Sequence, residues 1–343
     1  VRVIATGQQT AMFDELLPLF GITPDVTLHT MRKRESLPLL LSRLFSALSP
    51  VLSRVEPGIV IVQGDTASAY AGAVCGFLCG HTVAHVEAGL RSFDLRAPFP
   101  EEGFRRGIAD VAAVHYATTE AARRNLLAEG IRDGNLLVSG NTVLDALRRF
   151  APKEREPHEK KRLLLTLHRR ENRSSFADLL SAVRDIAGQG IEVFYPVHPS
   201  GNVAEQAARL LGTLPGVHLS APLPLPEFYR LLFSADLVLT DSGGVQEECA
   251  ALSVPCFVLR TSTEREEELE NKKITLVGNS GKTLCRRVMK FFSEQEQTGG
   301  RGQKSALLSP AESPADRIAE DLIARFSVPY SEKQPPCRGC GWS

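Results

Sequence analysis

Short β-branched runs alternate with amphipathic helical stretches along nearly the whole chain, and this alternation constrains the fold more than any other feature. A strand that leads into a helix before the next strand pairs parallel to its predecessor, so the pattern predicts βα units and parallel sheets. In the first half, residues 1–6, 59–63, 82–86, 114–117 and 136–139 read as strands, with helices at 11–20, 37–55, 67–78, 102–110, 120–129 and 143–149. Residues 151–162 are charged, contain proline and lack an apolar period, which predicts a linker. The second half repeats the pattern, with strands at 162–167, 192–196, 217–219, 237–240 and 256–259 and helices at 176–186, 203–211, 226–233, 245–252 and 282–294. A polar, glycine-rich stretch at 295–314 reads as a loop and 315–326 as a last amphipathic helix. The expected organisation is α/β throughout: a doubly wound domain over residues 1–150, a second Rossmann-like domain over 151–313, a helix at 314–327 that returns to the first domain, and a tail at 328–343. Two such domains facing each other leave a cleft at the carboxyl ends of their strands, the usual place for a ligand.

A chain of 343 residues suits two domains of about 100–200 residues each. Its 40 basic residues balance 40 acidic ones, so no overall field favours nucleic acid or an anionic membrane. Any anionic ligand must be held by a local site. No stretch reads as a membrane span of about 20 apolar residues, and the start of the chain does not read as a secretory signal. The seven cysteines lie mostly in apolar segments, as reduced thiols of a cytoplasmic protein do. Cys337 and Cys340 form a lone Cys-x-x-Cys pair. Without a second pair it predicts no zinc site, and neither a metal nor another cofactor is expected.

Chemistry concentrates at the expected strand ends. In Thr240-Asp241-Ser242-Gly243-Gly244 a hydrophobic strand runs into a helix. Glycines there let backbone N–H groups approach an anion, and the helix dipole and the Ser242 hydroxyl favour phosphate. Glu248, in the first turns of that helix, is within reach of ribose hydroxyls. A plain glycine turn fits the same residues. His168-Arg169-Arg170-Glu171-Asn172 and Tyr195-Pro196-Val197-His198 end two further strands. Arginine suits bidentate contact with phosphate, and a solvated charged loop is the simpler alternative. In the first half, Asp65 and Glu87 end neighbouring strands, Glu101 follows in the next loop and Arg105 lies one helical turn on. Crowded carboxylates raise one another's pKa, so one can act as acid while another acts as base. Taken alone, each is a helix cap or a surface charge, and Asp65 stands where an N-cap belongs.

Assembled in order, these segments resemble the non-hydrolysing UDP-N-acetylglucosamine 2-epimerases of bacteria. The resemblance runs through Gly64-Asp65-Thr66, His85 to Arg91, Pro98 to Arg105, Gly140-Asn141-Thr142 with Asp145, His168 to Asn172, Tyr195 to His198, Asp241 to Glu248, and Thr263-Glu264-Arg265. Each motif is weak alone, whereas the ordered set, from about residue 6 to 326, is specific. The resemblance implies a glycosyltransferase-B-like fold and a homodimer. It also implies interconversion of UDP-GlcNAc and UDP-ManNAc through a glycal, by elimination and re-addition of UDP, without metal or nicotinamide. Carried over by motif position, Asp65, Glu87, Glu101 and His168 are the acid–base residues. Ser242, Gly243 and Gly244 contact the diphosphate, Glu248 the ribose, and Arg105 lies in the active site. Gln8, Arg34, Arg169 and His198 match positions that in some members hold a second, activating UDP-GlcNAc.

The chain departs from the family pattern at four places. The family opens with a strand, a Gly-Thr-Arg-Pro-Glu turn and a helix bearing a lysine. Here that unit is absent before Val1, so one sheet strand is expected to be missing. Gln8-Gln9-Thr10-Ala11 replaces a Gln-His-Arg type stretch, Glu264-Arg265-Glu266 lacks the usual proline, and Asn271-Lys272-Lys273 replaces a small Ala-Gly-Thr segment. Two rival readings follow. One is a UDP-sugar-binding relative without turnover. The other is a glycosyltransferase of the same fold, which needs mainly the diphosphate clamp and gives the acidic residues no work.

Overall fold

The computed structural model describes residues 1–8, 10–32, 35–167, 172, 174–197, 203–260, 273–297 and 312–327. Contacts divide the chain into one unit of Val1–Thr142 with Glu312–Ser343 and another of Val143–Ala311. The first runs β1 (Ile4–Ala5), α1 (Thr10–Phe20), β2 (Val26–Thr27), α2 (Leu37–Leu52), β3 (Ile59–Gln63), α3 (Ala67–Leu78), β4 (Thr82–Ala88), α4 (Glu101–Val111), β5 (Val114–Ala117), α5 (Glu120–Ala128) and β6 (Leu136–Val138). The second runs α6 (Val143–Phe150), β7 (Arg162–Thr166), α7 (Phe176–Ala187), β8 (Glu192–Pro196), α8 (Val203–Leu211), β9 (Val217–Ser220), α9 (Leu225–Ser234), β10 (Leu237–Thr240), α10 (Gly243–Ala251), β11 (Cys256–Val258), β12 (Ile274–Leu276) and α11 (Gly281–Gln297). A last helix, α12 (Pro314–Phe326), belongs to the first unit.

In the second unit the strand order is β12-β11-β10-β7-β8-β9, parallel throughout. Alternate strand residues serve opposite faces, as the two-residue period requires. Leu163, Leu165 and Leu167 pack with Leu180, Val183 and Leu284 of α7 and α11, whereas Leu164 packs with Leu147, Tyr229 and Leu232 of α6 and α9. Leu147 is fully buried in that second core, so the boundary expected at residue 150 falls instead before α6. The segment at 151–162 is not a free linker either. Arg155 donates to the Ser234 carbonyl at 2.7 Å and to Asp236 Oδ1 at 2.6 Å, and the other Asp236 oxygen accepts from the Arg162 amide at 2.8 Å. A buried carboxylate needs such partners, and a charge count over the segment does not reveal them.

In the first unit β3-β4-β5-β6 form a parallel sheet, and β1 and β2 form a separate parallel pair. Ile4 and Val60 pack on the same helical cluster of α2 and α3, yet β1 and β3 are not hydrogen-bonded to each other, and Ile61 of β3 is 55% exposed. Buried Leu40, Leu44, Leu48 and Leu52 give α2 its stripe at four-residue spacing. Ile318 of α12 packs with Val86, Val114 and Tyr116, and the Tyr116 hydroxyl donates to Asp321 at 2.9 Å. Strands β2 and β12 were not expected from the sequence, because two or three residues are too few to show a period. Among the described residues, no helix is long and apolar enough to cross a membrane.

Candidate active site

Three carboxylates of the first unit come from adjacent chain ends. β3 leaves the sheet through Gly64, whose φ of 70° is left-handed, and the Gly64 amide donates to the Val86 carbonyl of β4 at 3.0 Å. A Cβ on Gly64 would stand 3.5 Å from Glu87 Oε2, so the Glu87 carboxylate lies over this turn. Glu87 itself has φ 60°, at an irregularity in the β4–β5 register between Val86 and Ala88. A left-handed glutamate costs on the order of 1 kcal/mol or more, and such strain concentrates where a side chain must be aimed. Asp65 is not the helix cap that its position suggested. Thr66 caps α3 by accepting from the Ala69 amide, and Asp65 Oδ2 meets Arg105 Nη2 at 2.5 Å. Glu101 opens α4, and its Oε2 is buried without a hydrogen-bond partner among the described residues, as is Arg105 Nη1.

Beneath this cluster lie two buried histidines, register partners on β4 and β5. His85 Nε2 donates to the Gly64 carbonyl at 2.9 Å, which fixes the turn that carries Asp65. Burial pushes His85 down to about 3, and His115, Arg91 and Arg105 add to the effect. Burial likewise pushes His115 down to about 4, with Arg91 adding. Both folded values lie below the unfolded value near 6.5, so both rings are neutral in the native state, and protonation favours unfolding. Stability is therefore expected to be whole above pH 6.5 and to fall by about 3 kcal/mol per histidine on acidification toward pH 4. Urea titrations from pH 7 to 4 read this loss, and His115→Gln is expected to remove about half of it.

The second unit has its topological switch point between β7 and β10, where strand order leaves sequence order. Open α/β sheets bind ligands at the carboxyl ends of such strands. The Thr166 and Thr240 hydroxyls share a 2.6 Å hydrogen bond there, and Thr240 Oγ1 accepts from the Ser242 amide at 3.0 Å. Asn172 Nδ2 donates to the buried Asp241 carboxylate at 3.0 Å and to the Leu259 carbonyl at 2.9 Å, joining three strand ends. α10 starts at Gly243 rather than at residue 245, so both glycine amides lie in its first turn, where no intrahelical acceptor exists. Ser242 is the N-cap, yet its hydroxyl makes no capping bond. A Cβ on Gly244 would have only Ser242 Oγ nearby, at 4.0 Å, so the turn's backbone stands open. One and a half turns on, Glu248 Oε1 accepts from the Tyr229 hydroxyl at 3.2 Å, while Oε2 is buried without a hydrogen-bond partner among the described residues. Burial pushes Glu248 up to about 8, with Glu247 adding and the Tyr229 bond opposing.

Of the residues expected from the sequence, Asp65, Glu87, Glu101 and Arg105 lie around the β3 and β4 ends of the first unit, and Ser242, Gly243, Gly244 and Glu248 lie along the start of α10 in the second. Gln8 is anchored on α3, its Oε1 accepting from the Ser68 amide at 2.9 Å and from the Ser68 hydroxyl at 2.6 Å. His168, Arg169, Arg34 and His198 fall outside the described residues, as do Thr263 to Arg265, Cys337 and Cys340. Sequence reasoning gave no part to His85, Asn172, Tyr229 or Glu102. Only Glu102 carried a signal, since Arg105 and Arg106 follow it at helical spacing.

The fold places the chain among the doubly wound α/β proteins, which hold nucleotide phosphates at an uncapped helix N-terminus at the switch point. A family model described as UDP-N-acetylglucosamine 2-epimerase matches residues 1–319. The UDP-N-acetylglucosamine 2-epimerase of Salmonella typhimurium is 36% identical over 314 residues, covering 86% of this chain and 84% of the relative. The crystal structure of UDP-GlcNAc 2-epimerase from Neisseria meningitidis bound to UDP-GlcNAc superposes with a TM-score of 0.84 at 30% identity, covering 94% of this chain and 91% of that one. S. aureus MnaA with UDP gives a TM-score of 0.84 at 30% identity, covering 95% and 88%. The chain belongs to the UDP-N-acetylglucosamine 2-epimerase family, and its fold is glycosyltransferase-B-like.

Proposed function

We propose that this protein interconverts UDP-N-acetylglucosamine and UDP-N-acetylmannosamine by eliminating UDP and adding it back. The sugar C2–H is a poor acid, and direct deprotonation would leave an unstabilised carbanion. Elimination avoids it. A base takes the C2 proton, the C–H electron pair becomes the C1=C2 bond of a glycal, and the C1–O pair leaves with the diphosphate. Re-addition reverses the electron flow, with the proton delivered to the opposite face of C2. The reaction needs carboxylates about C1 and C2 and a clamp that stabilises charge on the departing diphosphate.

The observation that carries the proposal is that Asp65 and Glu87 stand at the ends of the paired strands β3 and β4, while Glu101, its Oε2 buried and unpartnered among the described residues, opens the helix α4 whose Arg105 meets Asp65. These three, with His168, supply acid and base. Ser242, Gly243, Gly244 and the α10 dipole hold the diphosphate, Glu248 the ribose, and Arg105 the sugar side of the substrate. The same proposal includes a cytoplasmic homodimer and a second, activating UDP-GlcNAc on Gln8, Arg34, Arg169 and His198. The UDP-sugar substrate is supported by the two superposing structures, one with UDP-GlcNAc and one with UDP.

Incubation with UDP-GlcNAc, followed by proton NMR of the anomeric signals, tests the activity. UDP-ManNAc is expected to appear, and its absence with a folded, UDP-binding protein would sink the proposal. Ser242→Ala removes one hydrogen bond to an anion and is expected to raise the Kd for UDP about tenfold, measurable by calorimetry. A UDP-sugar-binding protein without turnover is the second reading. The Asp65–Arg105 ion pair favours it, since that carboxylate already has a cationic partner. UDP binding without UDP-ManNAc formation separates the two.

A further inference from the structure

Glu102 has no part in the acid–base set, yet its side chain is fully buried. Adjacent helix positions are rotated by about 100°, so Glu101 and Glu102 cannot serve the same face of α4. The Glu102 carboxylate accepts from the Ser92 amide at 3.0 Å on Oε2, and from the Phe93 amide and Arg106 Nε at 3.3 Å each on Oε1. Arg105 Nη1 lies 3.6 Å from Oε2, beyond hydrogen-bond reach, while Nη2 of the same guanidinium meets Asp65. One buried charge thus ties the first turn of α4 to the backbone between Glu87 and Glu101, where Phe93 has a left-handed φ of 60°. It also faces the arginine that holds Asp65.

We propose that Glu102 is a positioning residue of the reaction, a role that rests on the epimerase reading above. Its charge holds one side of the Arg105 guanidinium away from Asp65, so that the pair stays single-pronged and Asp65 keeps an oxygen free for the sugar. Its two backbone bonds fix the span between Glu87 and Glu101. Without the charge, Arg105 turns and grips Asp65 with both nitrogens, the stronger geometry for arginine and a carboxylate. A role confined to starting α4 would not act on Asp65 and would show only in stability.

The test compares the parent with Glu102→Gln and Glu102→Asp, measuring kcat and KM by NMR, UDP affinity by calorimetry and folding by circular dichroism. Glu102→Gln keeps the size and removes the charge. It is expected to lower kcat about 30- to 100-fold while KM and UDP affinity change less than about threefold, the mark of an interaction felt in the transition state. Glu102→Asp restores the charge at shorter reach and is expected to recover part of kcat. Should Glu102→Gln fail to fold, Glu102→Asp alone decides, a lowered kcat with unchanged KM supporting the role. Parent-like kcat in the folded variants overturns it, and so does a loss of melting temperature with kcat per folded molecule unchanged. A parent that binds UDP but never turns over is a different result, which removes the epimerase reading itself.

Discussion

Replacing Glu101 by glutamine is expected to lower turnover about a thousandfold while leaving UDP affinity within about twofold, the loss typical of a general acid or base. The side chain sits at the first position of α4, one helical turn from Arg105, and its Oε2 is buried with no hydrogen-bond partner among the described residues. An unsatisfied buried carboxylate oxygen costs roughly 1–3 kcal/mol, so its retention asks for a ligand group to complete it. Glutamine keeps the volume and the helix but carries no exchangeable carboxyl proton. The loss is expected in kcat, because the proton moves only in the transition state. Diphosphate binding is proposed for the α10 turn of the other unit and is expected to stay intact. Rates near the parent's would remove Glu101 from the acid–base set, and lost UDP binding would mean that the substitution damaged the fold.

Glu248→Gln is expected to strengthen the fold as pH rises. The carboxyl of Glu248 is buried, and its folded value of about 8 lies above the ordinary glutamate value of 4.5. A carboxyl raised on folding costs nothing below its unfolded value. The cost grows as pH climbs through the window between the two values and is complete above the folded one. Glutamine does not titrate, so the stability gap between variant and parent is expected to widen by about 3–5 kcal/mol from pH 5 to pH 9 in favour of the variant. At pH 7 the same variant is expected to bind UDP more weakly, since it loses the carboxyl proposed to hold ribose. Stability surrendered at a ligand site is a common trade. Guanidinium titrations at both pH values read the gap, and one that stays flat would mean that Glu248 is ionised in the folded protein.

The α/β class was legible because β-branched runs and amphipathic helices alternate through both halves, from Ile59–Gln63 to Leu237–Thr240. The Ser242-Gly243-Gly244 turn was legible because its glycines directly follow a strand. What stayed hidden depends on contacts between segments distant in sequence. Asp65 looked like a cap, and only the fold brings Arg105 to it from 40 residues further on, at 2.5 Å. The segment at 151–162 read as a linker because its anchor, Asp236, lies far along the chain. Glu102 was given no part, since its spacing to Arg105 and Arg106 does not reveal that it is buried against Ser92 and Phe93. Strand β12 is three residues long, too short for periodicity to separate it from a loop.

The central claim is that acidic residues at the β3, β4 and α4 ends lift a proton from C2 of a UDP-bound sugar and return another to the opposite face. Incubation with UDP-GlcNAc in D2O, followed by carbon-resolved NMR, tests it most directly. UDP-ManNAc carrying one solvent deuterium at C2 is the expected result. Product that keeps its original C2 hydrogen, or no exchange from a folded protein that binds UDP, would contradict the account.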